Sequence, residues 1–246
     1  MGSQLRYPCC KGFAHGAMEF IASLSGGKDS LAMVLKLIEE NKPLTKVVNF
    51  DEGMNFESVK RNVDKAEPII KEYGAELVRL EPKESFLMLM FAKPVNKRDG
   101  TCKYGYDWCG ANTRWMTTIK NQAIDKYQKS LGEYVEYVGI AADEQHRIKP
   151  NKIYPLIEWG MTEKDCLQYC REHGFDWNEN GIDLYDVLDR ASCWCCRNKN
   201  LKELRAIRKY LPFYWERLKG LQSRIDIPFR RDGKTVFDLE ERFDNE

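Results

Sequence analysis

Ser25-Gly26-Gly27-Lys28-Asp29-Ser30 joins two apolar runs, Phe20-Ile21-Ala22-Ser23-Leu24 before it and Leu31–Ile38 after it. The first run reads as a buried strand and the second as a helix. Adjacent glycines at a strand-to-helix turn let the backbone approach a ligand closely. The N–H groups of the helix's first turn, together with the helix dipole, then favour phosphate. Lys28 adds a point charge, and Ser25 and Ser30 add hydroxyl donors. The spacing is not G-x-x-x-x-G-K-S/T, so this is not a Walker A loop. A glycine turn with a chance lysine is the plain alternative, but the strand–loop–helix context is the one phosphate binding requires. As an exposed loop side chain, Lys28 is expected to contribute little to packing.

A chain of 246 residues has room for one α/β domain with a small appendage. A formal net charge of +1 gives no global pull toward nucleic acid. No apolar run is long enough for a membrane span, and the N-terminus shows no signal-peptide core. Nine cysteines are many. In a long chain, with an odd count and no secretion signal, they read as reduced or metal-bound thiols of a cytoplasmic protein rather than a disulfide scaffold.

The segments alternate. Glu19–Leu24 is a strand, and a helix follows to about Glu40. Lys46–Phe50 is a second strand, ending in Asp51-Glu52-Gly53-Met54-Asn55-Phe56. A helix over Glu57–Tyr73 contains Pro68 and ends before Gly74, a suitable C-cap. Ala75–Leu80 is a third strand, and Tyr134–Ile140 a further one. This alternation predicts an α/β fold, a parallel twisted sheet with helices on both faces, followed by a C-terminal helical Cys-rich segment. The expected organisation is a lead-in over 1–18, a nucleotide-binding domain over 19–160, and a helical Cys-containing segment over 161–246 packed on the same domain. Ligands of such sheets bind beyond the carboxyl ends of the strands, where the loops at 25–30 and 51–56 would lie. Residues 92–112 read as a polar loop, and Thr113–Leu131 as a helix. Thr162-Glu163-Lys164-Asp165 resembles a capping box with Asp in place of Glu. The tail is expected to close onto the body through Val236, Phe237 and Leu239.

Four motifs, in order, resemble the phosphoadenosine phosphosulfate (PAPS) reductase family of the PP-loop ATP pyrophosphatases, an adenine nucleotide alpha hydrolase-like, Rossmann-like fold. Ser25–Ser30 is similar to the PP-loop signature. Asp51–Phe56 is similar to D-T-G-x-x-F. Gly139-Ile140-Ala141-Ala142-Asp143-Glu144 with Arg147 is similar to G-I-R-x-x-E-S-x-x-R. Tyr154–Trp159 with Thr162–Asp165 is similar to Y-P-L-x-x-W-T-x-x-D. The resemblance runs from about Phe20 to Pro212. It implies ATP cleavage to AMP and pyrophosphate, to adenylate an acceptor. Ser23, Leu24, Ser25, Gly26, Gly27, Lys28, Asp29 and Ser30, with Asp51, Gly139, Asp143, Glu144 and Arg147, would then hold the nucleotide. Lys28, Asp29 and Ser30 would be catalytic, with Asp29 a ligand for Mg2+ and adenine near Leu24, Asp51 and Gly139. Two departures bear on function. Reductases of this family commonly use a cysteine in a C-terminal E-C-G-I/L-H motif, and no cysteine follows Cys196. Many of them also have a degenerate PP-loop, whereas this one is intact. Both favour ATP cleavage over PAPS or adenylyl sulfate reduction, which stays as an alternative.

Cys193-Trp194-Cys195-Cys196 contains a C-x-x-C, and Cys102 and Cys109 form a second pair in a loop with Gly105 and Gly110. Cys102, Cys109, Cys193 and Cys196 could supply four thiolates to one 4Fe-4S cluster or one structural Zn2+. Free thiols are the third possibility. Cys195 is a spare thiol or alternative ligand. Cys9 and Cys10 carry sulfur or are idle, and Cys166 and Cys170, at i and i+4 on a helix, are expected to be buried. His146 is a candidate general acid or base, with a solvated loop histidine the plainer reading. The basic helix Arg197–Lys209 could touch nucleic acid, or simply be a solvated face. The leading expectation is a PP-loop enzyme of sulfur transfer, acting on an unidentified small-molecule or nucleic-acid acceptor with a possible sulfur-donor protein and no membrane. A non-catalytic nucleotide-binding module with structural zinc is the remaining alternative.

Overall fold

β-branched and aliphatic runs form the centre of the fold, in a computed structural model that describes residues 18–110 and 112–246. Cys9 and Cys10 lie outside the described residues. In chain order the elements are β1 (Glu19–Ser23), α1 (Lys28–Glu39), β2 (Lys46–Phe50), α2 (Glu57–Tyr73), β3 (Glu76–Leu80), α3 (Phe86–Phe91), β4 (Pro94–Asn96), β5 (Cys102–Tyr104) and α4 (Trp115–Lys129). β6 (Tyr134–Tyr137), a 3-10 turn (Ala142–Arg147), α5 (Pro155–Glu158), α6 (Glu163–Glu172), β7 (Asn178–Glu179), β8 (Ile182–Asp183), α7 (Leu184–Val187), α8 (Leu201–Tyr210), α9 (Pro212–Gln222) and α10 (Val236–Asp244) follow. Among the described residues no helix is long and apolar enough to cross a membrane.

The chain divides into two units. The first comprises residues up to Phe50, Ser58–Leu80 and Ile124–Asp176, and the second comprises Asp51–Glu57, Glu81–Ala123 and Trp177–Glu246. Residues 161–176, which hold α6, belong to the first unit.

The first unit carries the parallel sheet, ordered β3-β2-β1-β6, with helices on both faces. Ala22 pairs with Val47 on one side and Tyr137 on the other. The strands therefore step outward from β1 in both directions, and the crevice where the order reverses lies at the carboxyl ends of β1 and β6. Ile21, Ala22, Val47 and Val48 are buried, as near-continuous apolar strands covered on both faces should be. α1 buries Leu31, Ala32, Met33, Val34, Leu35 and Leu37. α2 buries Val59, Asn62, Val63, Ala66 and Ile70 at helical spacing, and it accommodates Pro68. The Thr162 capping box forms as the sequence suggests, with Asp165 returning the bond to the Thr162 N–H at 2.9 Å. Cys166 and Cys170 are fully buried, and the Cys170 thiol donates to the Lys28 carbonyl at 3.3 Å.

The second unit is built on large aromatics. Trp108, Trp177, Trp194, Trp215 and Phe229 are buried. Trp108 Nε1 donates to the Ile227 carbonyl at 3.0 Å, and the Trp194 N–H donates to the Met54 carbonyl at 3.1 Å. Two antiparallel hairpins occur: β4–β5 lies within the stretch read as a polar loop, and β7–β8 in a stretch to which the sequence assigned no element. Both are too short to show alternation. The tail closes through Val236 and Leu239, but not through Phe237, which is exposed. In α10, position 237 falls on the outward face.

Candidate functional site

In the first unit the loop after β1 folds as a tight turn onto the first residues of α1. Gly26 has φ +79, and a Cβ there would sit 2.6 Å from the Val59 carbonyl oxygen. Only glycine meets both demands. The Ser30 hydroxyl accepts from the Ser25 N–H at 3.0 Å and donates to the Gly27 carbonyl at 3.1 Å. The two serine hydroxyls lie 2.9 Å apart. Leu24 is buried, and its carbonyl accepts from Asn49 Nδ2 at 2.8 Å, which fixes the strand end. Gly139, just beyond β6, approaches the same turn: a Cβ there would be 2.9 Å from Ser30 Cα and 3.1 Å from the Asp29 carbonyl oxygen. The two carboxyl ends at the switch point thus meet backbone to backbone.

Lys28 is only 7% exposed, which corrects the expectation of a solvated loop side chain. Its ammonium donates to Glu163 at 2.6 Å and to Asp29 Oδ1 at 3.1 Å. Burial opposes its charge, but Asp29 and Glu163 outweigh burial and hold the Lys28 pKa above its ordinary value. Burial raises the Asp29 pKa. Lys28 opposes that rise, and the charges of Glu163 and Glu144 add to it. Glu144 is buried and ion-paired with Arg147. Asp143 accepts from the Glu163 N–H at 3.1 Å, at the start of α6. Glu163 of α6 therefore links Lys28 to Asp143, Gly139 meets the loop directly at Ser30, and Glu144 pairs with Arg147 one turn beyond. Glu163 is the member that sequence reasoning missed. It sits inside the Thr162–Asp165 motif, where only the capping residues drew notice. His146 is exposed.

Asp51 follows β2 but belongs to the second unit, where its Oδ1 accepts from the Gly53 N–H at 2.8 Å in a tight turn. There it helps line a pocket of about 440 Å³ with Glu52, Met54, Glu81, Ser85, Phe86 and Arg217. The Arg217 guanidinium lies over the Trp194 ring, 4.6 Å from its centroid.

The thiols of the second unit are unevenly placed. The Cys193 thiol donates to Glu52 Oε1 at 2.9 Å. Glu52 Oε2 is buried and has no hydrogen-bond partner. The Cys196 N–H closes a turn onto the Cys193 carbonyl at 3.2 Å. A Cβ on Gly110 would lie 3.0 Å from Arg197 Cβ, so the chain at Cys109 runs against the chain at Cys196. Burial pushes the Cys193 thiol well up, with the Glu52, Cys195 and Cys196 charges adding. Burial likewise raises Cys109, with contributions from Cys196 and Glu52, and it raises Cys195. Burial lowers the Lys199 pKa, against the pull of Glu203 and the three thiols of 193–196.

The four cysteines expected as ligands are not gathered as one group. Cys102 is exposed on β5, opposite Asn96, and its thiol faces its neighbour's carbonyl, Lys103 O, at 3.6 Å. The hairpin that sequence reading missed holds it there. Among the described residues no three or more His, Cys, Asp or Glu side chains close around a metal-sized point. In kind the donors do fit a thiophilic centre. They are soft thiols in mutual electrostatic reach, beside a buried carboxylate oxygen with no partner. Among the cysteines of the described residues, iodoacetamide at neutral pH should therefore modify Cys102 first and leave Cys166, Cys170 and Cys195 unmodified until the protein unfolds. Peptide mass mapping reads this directly, and early labelling of Cys195 would contradict the placement.

No protein-family model matches the chain. An uncharacterized protein of Methanocaldococcus jannaschii is 23% identical over 219 residues, covering 82% of this chain and 41% of its own length. The chain thus spans about two-fifths of that relative. Among solved structures, the U34-tRNA thiolase NcsA from Methanococcus maripaludis, with its 4Fe-4S cluster, overlaps 93% of this chain and 72% of its own. Its TM-score is 0.44 at 14% identity, a likeness that carries no argument for function.

The basic helix offers less charge to solvent than its sequence suggests. Arg205 pairs with Glu246 and Arg208 with Asp244, while Lys199 is buried.

Proposed function

We propose that the chain binds ATP at the loop after β1 and cleaves it between the α- and β-phosphates, releasing pyrophosphate and adenylating an acceptor in sulfur transfer. One observation carries this reading: the intact Ser25–Ser30 loop lies at the switch point of a parallel sheet, with Lys28 buried and bracketed by Asp29 and Glu163. The first turn of α1 presents N–H groups to phosphate, and the absence of side chains at Gly26 and Gly139 allows close approach. Lys28 stabilises the negative charge that grows on departing pyrophosphate, preorganised because two carboxylates already fix its position. The Ser25 and Ser30 hydroxyls orient phosphate oxygens. Arg147, tethered by Glu144, adds positive charge near the end of β6. Asp29 would hold Mg2+ together with phosphate oxygens, and the bound ion supplies charge neutralisation. The thiols of the second unit would hold a thiophilic centre, an iron–sulfur cluster or zinc. When bound as a cluster, that centre supplies the iron and sulfide chemistry of sulfur transfer.

The test is product identity. Incubation with Mg2+ and α-labelled ATP should give AMP and pyrophosphate, and calorimetry should show tighter binding of ATP than of GTP. ADP as the product, or equal affinity for both nucleotides, would overturn the assignment.

Glu163→Gln should lower kcat for AMP formation about 10- to 100-fold and leave the KM for ATP within about threefold. The ammonium remains, paired with Asp29 alone and less firmly positioned, and small misplacements cost rate more than binding. Steady-state kinetics separates the two parameters. An unchanged kcat would mean that Glu163 only packs.

A further inference from the structure

The second unit contains a buried oxygen whose partner is missing. Glu52 enters the Cys193 site through Oε1, while its Oε2 is buried with no hydrogen bond. Orphaned carboxylate oxygens in protein interiors are costly, and each calls for an explanation. The Cys193 thiol lies 2.9 Å from the other oxygen, Oε1; Cys196 follows one turn further on, and Cys109 is brought alongside by the approach of Gly110 to Arg197. Lys199 is buried nearby, its ammonium over the Phe56 ring at 5.5 Å. That ammonium already has a carboxylate partner, Glu203 Oε1 at 3.8 Å. Cys102, the expected fourth donor, stands exposed on its hairpin.

We infer that the thiophilic centre of this chain is held by three thiolates and one carboxylate, from Cys109, Cys193, Cys196 and Glu52, and that Cys102 is not a ligand. Glu52 supplies the fourth donor through the oxygen that is otherwise without a partner. On binding, each thiol gives up its proton to solvent, and the hydrogen bond from Cys193 to Glu52 Oε1 is replaced by bonds from sulfur and oxygen to the metal. The donors are not closed around a point in the metal-free chain, so loading requires side-chain rotation at 109, 193, 196 and 52. A hard oxygen among soft sulfurs weakens the hold at one position and leaves it exchangeable, unlike a closed four-thiolate structural site.

This inference rests on the proposed reading of these thiols as metal ligands, and the experiment separates the two. Zn2+ is added to the reduced, full-length protein, and the zinc K-edge X-ray absorption spectrum is recorded. Three sulfurs near 2.3 Å and one oxygen near 2.0–2.2 Å are expected. Four sulfurs would overturn the inference while keeping the thiol site. Absence of zinc binding would overturn both. Competition titration with a chelator supplies the second arm. Glu52→Gln should weaken zinc binding at least about tenfold, the scale seen even for residues that only support a ligand. Cys102→Ser and Cys195→Ser should change it less than twofold. Equal affinity of Glu52→Gln and wild type, or a loss in Cys102→Ser as large as in Cys109→Ser, would also overturn it. A wild-type spectrum with four sulfurs, or with fewer than three, overturns the inference even if a variant fails to fold, and the Glu52→Gln titration separates the carboxylate from a water oxygen.

Discussion

Lys28→Ala is expected to lower AMP formation by about 10²–10³-fold or more, the scale lost when one preorganised donor to a developing negative charge is removed. The same substitution should also destabilise the protein. Lys28 is buried, and its loss leaves Asp29 and Glu163 without their shared cation. Both carboxylates are partly exposed, so the cost is about 1–3 kcal/mol, the range for a polar group left unpaired. That corresponds to a fall in Tm of roughly 2–12 °C for a chain of this size. Lys28→Arg keeps the charge and should restore stability better than activity, since a guanidinium cannot reproduce the ammonium's position. Labelled-nucleotide assays and thermal denaturation check the two effects separately. Full AMP formation by Lys28→Ala would sink the nucleotide assignment, and an unchanged Tm would show that the ion pairs contribute nothing to folding.

The second large effect belongs to Gly26. Alanine there must adopt a left-handed backbone at φ +79 and place its Cβ 2.6 Å from the Val59 carbonyl oxygen and 2.8 Å from Val59 Cγ1. The backbone strain alone costs about 1–3 kcal/mol. The contact is with backbone on one side, so relief requires α2 or the loop to move. Gly26→Ala should therefore lose ATP affinity at least about tenfold in calorimetry and lower Tm by about 2–12 °C or more. Gly53→Ala, also at positive φ but with no atom within 4 Å of the added Cβ, serves as the control. It should show the strain without the displacement. Equal ATP affinity in Gly26→Ala and wild type would mean that the turn holds no phosphate.

The sheet was legible because its signals are local. β1, β2 and β3 are short runs with apolar centres, α1 and α2 repeat apolar residues at helical spacing, and Thr162 and Asp165 carry their cap in the residue types themselves. Gly139 was legible as part of a motif, although its physical reason, the approach to Ser30, needed coordinates. Glu163 was not legible. A charged residue in the first turn of a helix reads as a surface group, and only the fold brings it across 135 residues to Lys28. Glu52 was hidden in the same way beside Asp51. The exposure of Cys102 was not legible, because sequence spacing treats cysteines as interchangeable, whereas a three-residue hairpin strand sets the position of this one. The basic character of α8 was real in composition, but its partners, Asp244 and Glu246, lie at the other end of the segment.

The two units are interleaved along the chain, and during synthesis this becomes an order in time. The ribosome delivers Asp176, the last residue of the first unit, before any of Cys193, Cys195 or Cys196 has been made. Cys109 is then already present, yet its neighbours are still to come. Cys193 follows it by 84 residues, roughly 4–17 s at 5–20 residues per second. For that interval Glu52 and Cys109 are held in a nascent chain without the turn that completes their surroundings. The parallel sheet can form first, and the surroundings of Cys109 have to be assembled afterwards around a thiol that has been waiting for them.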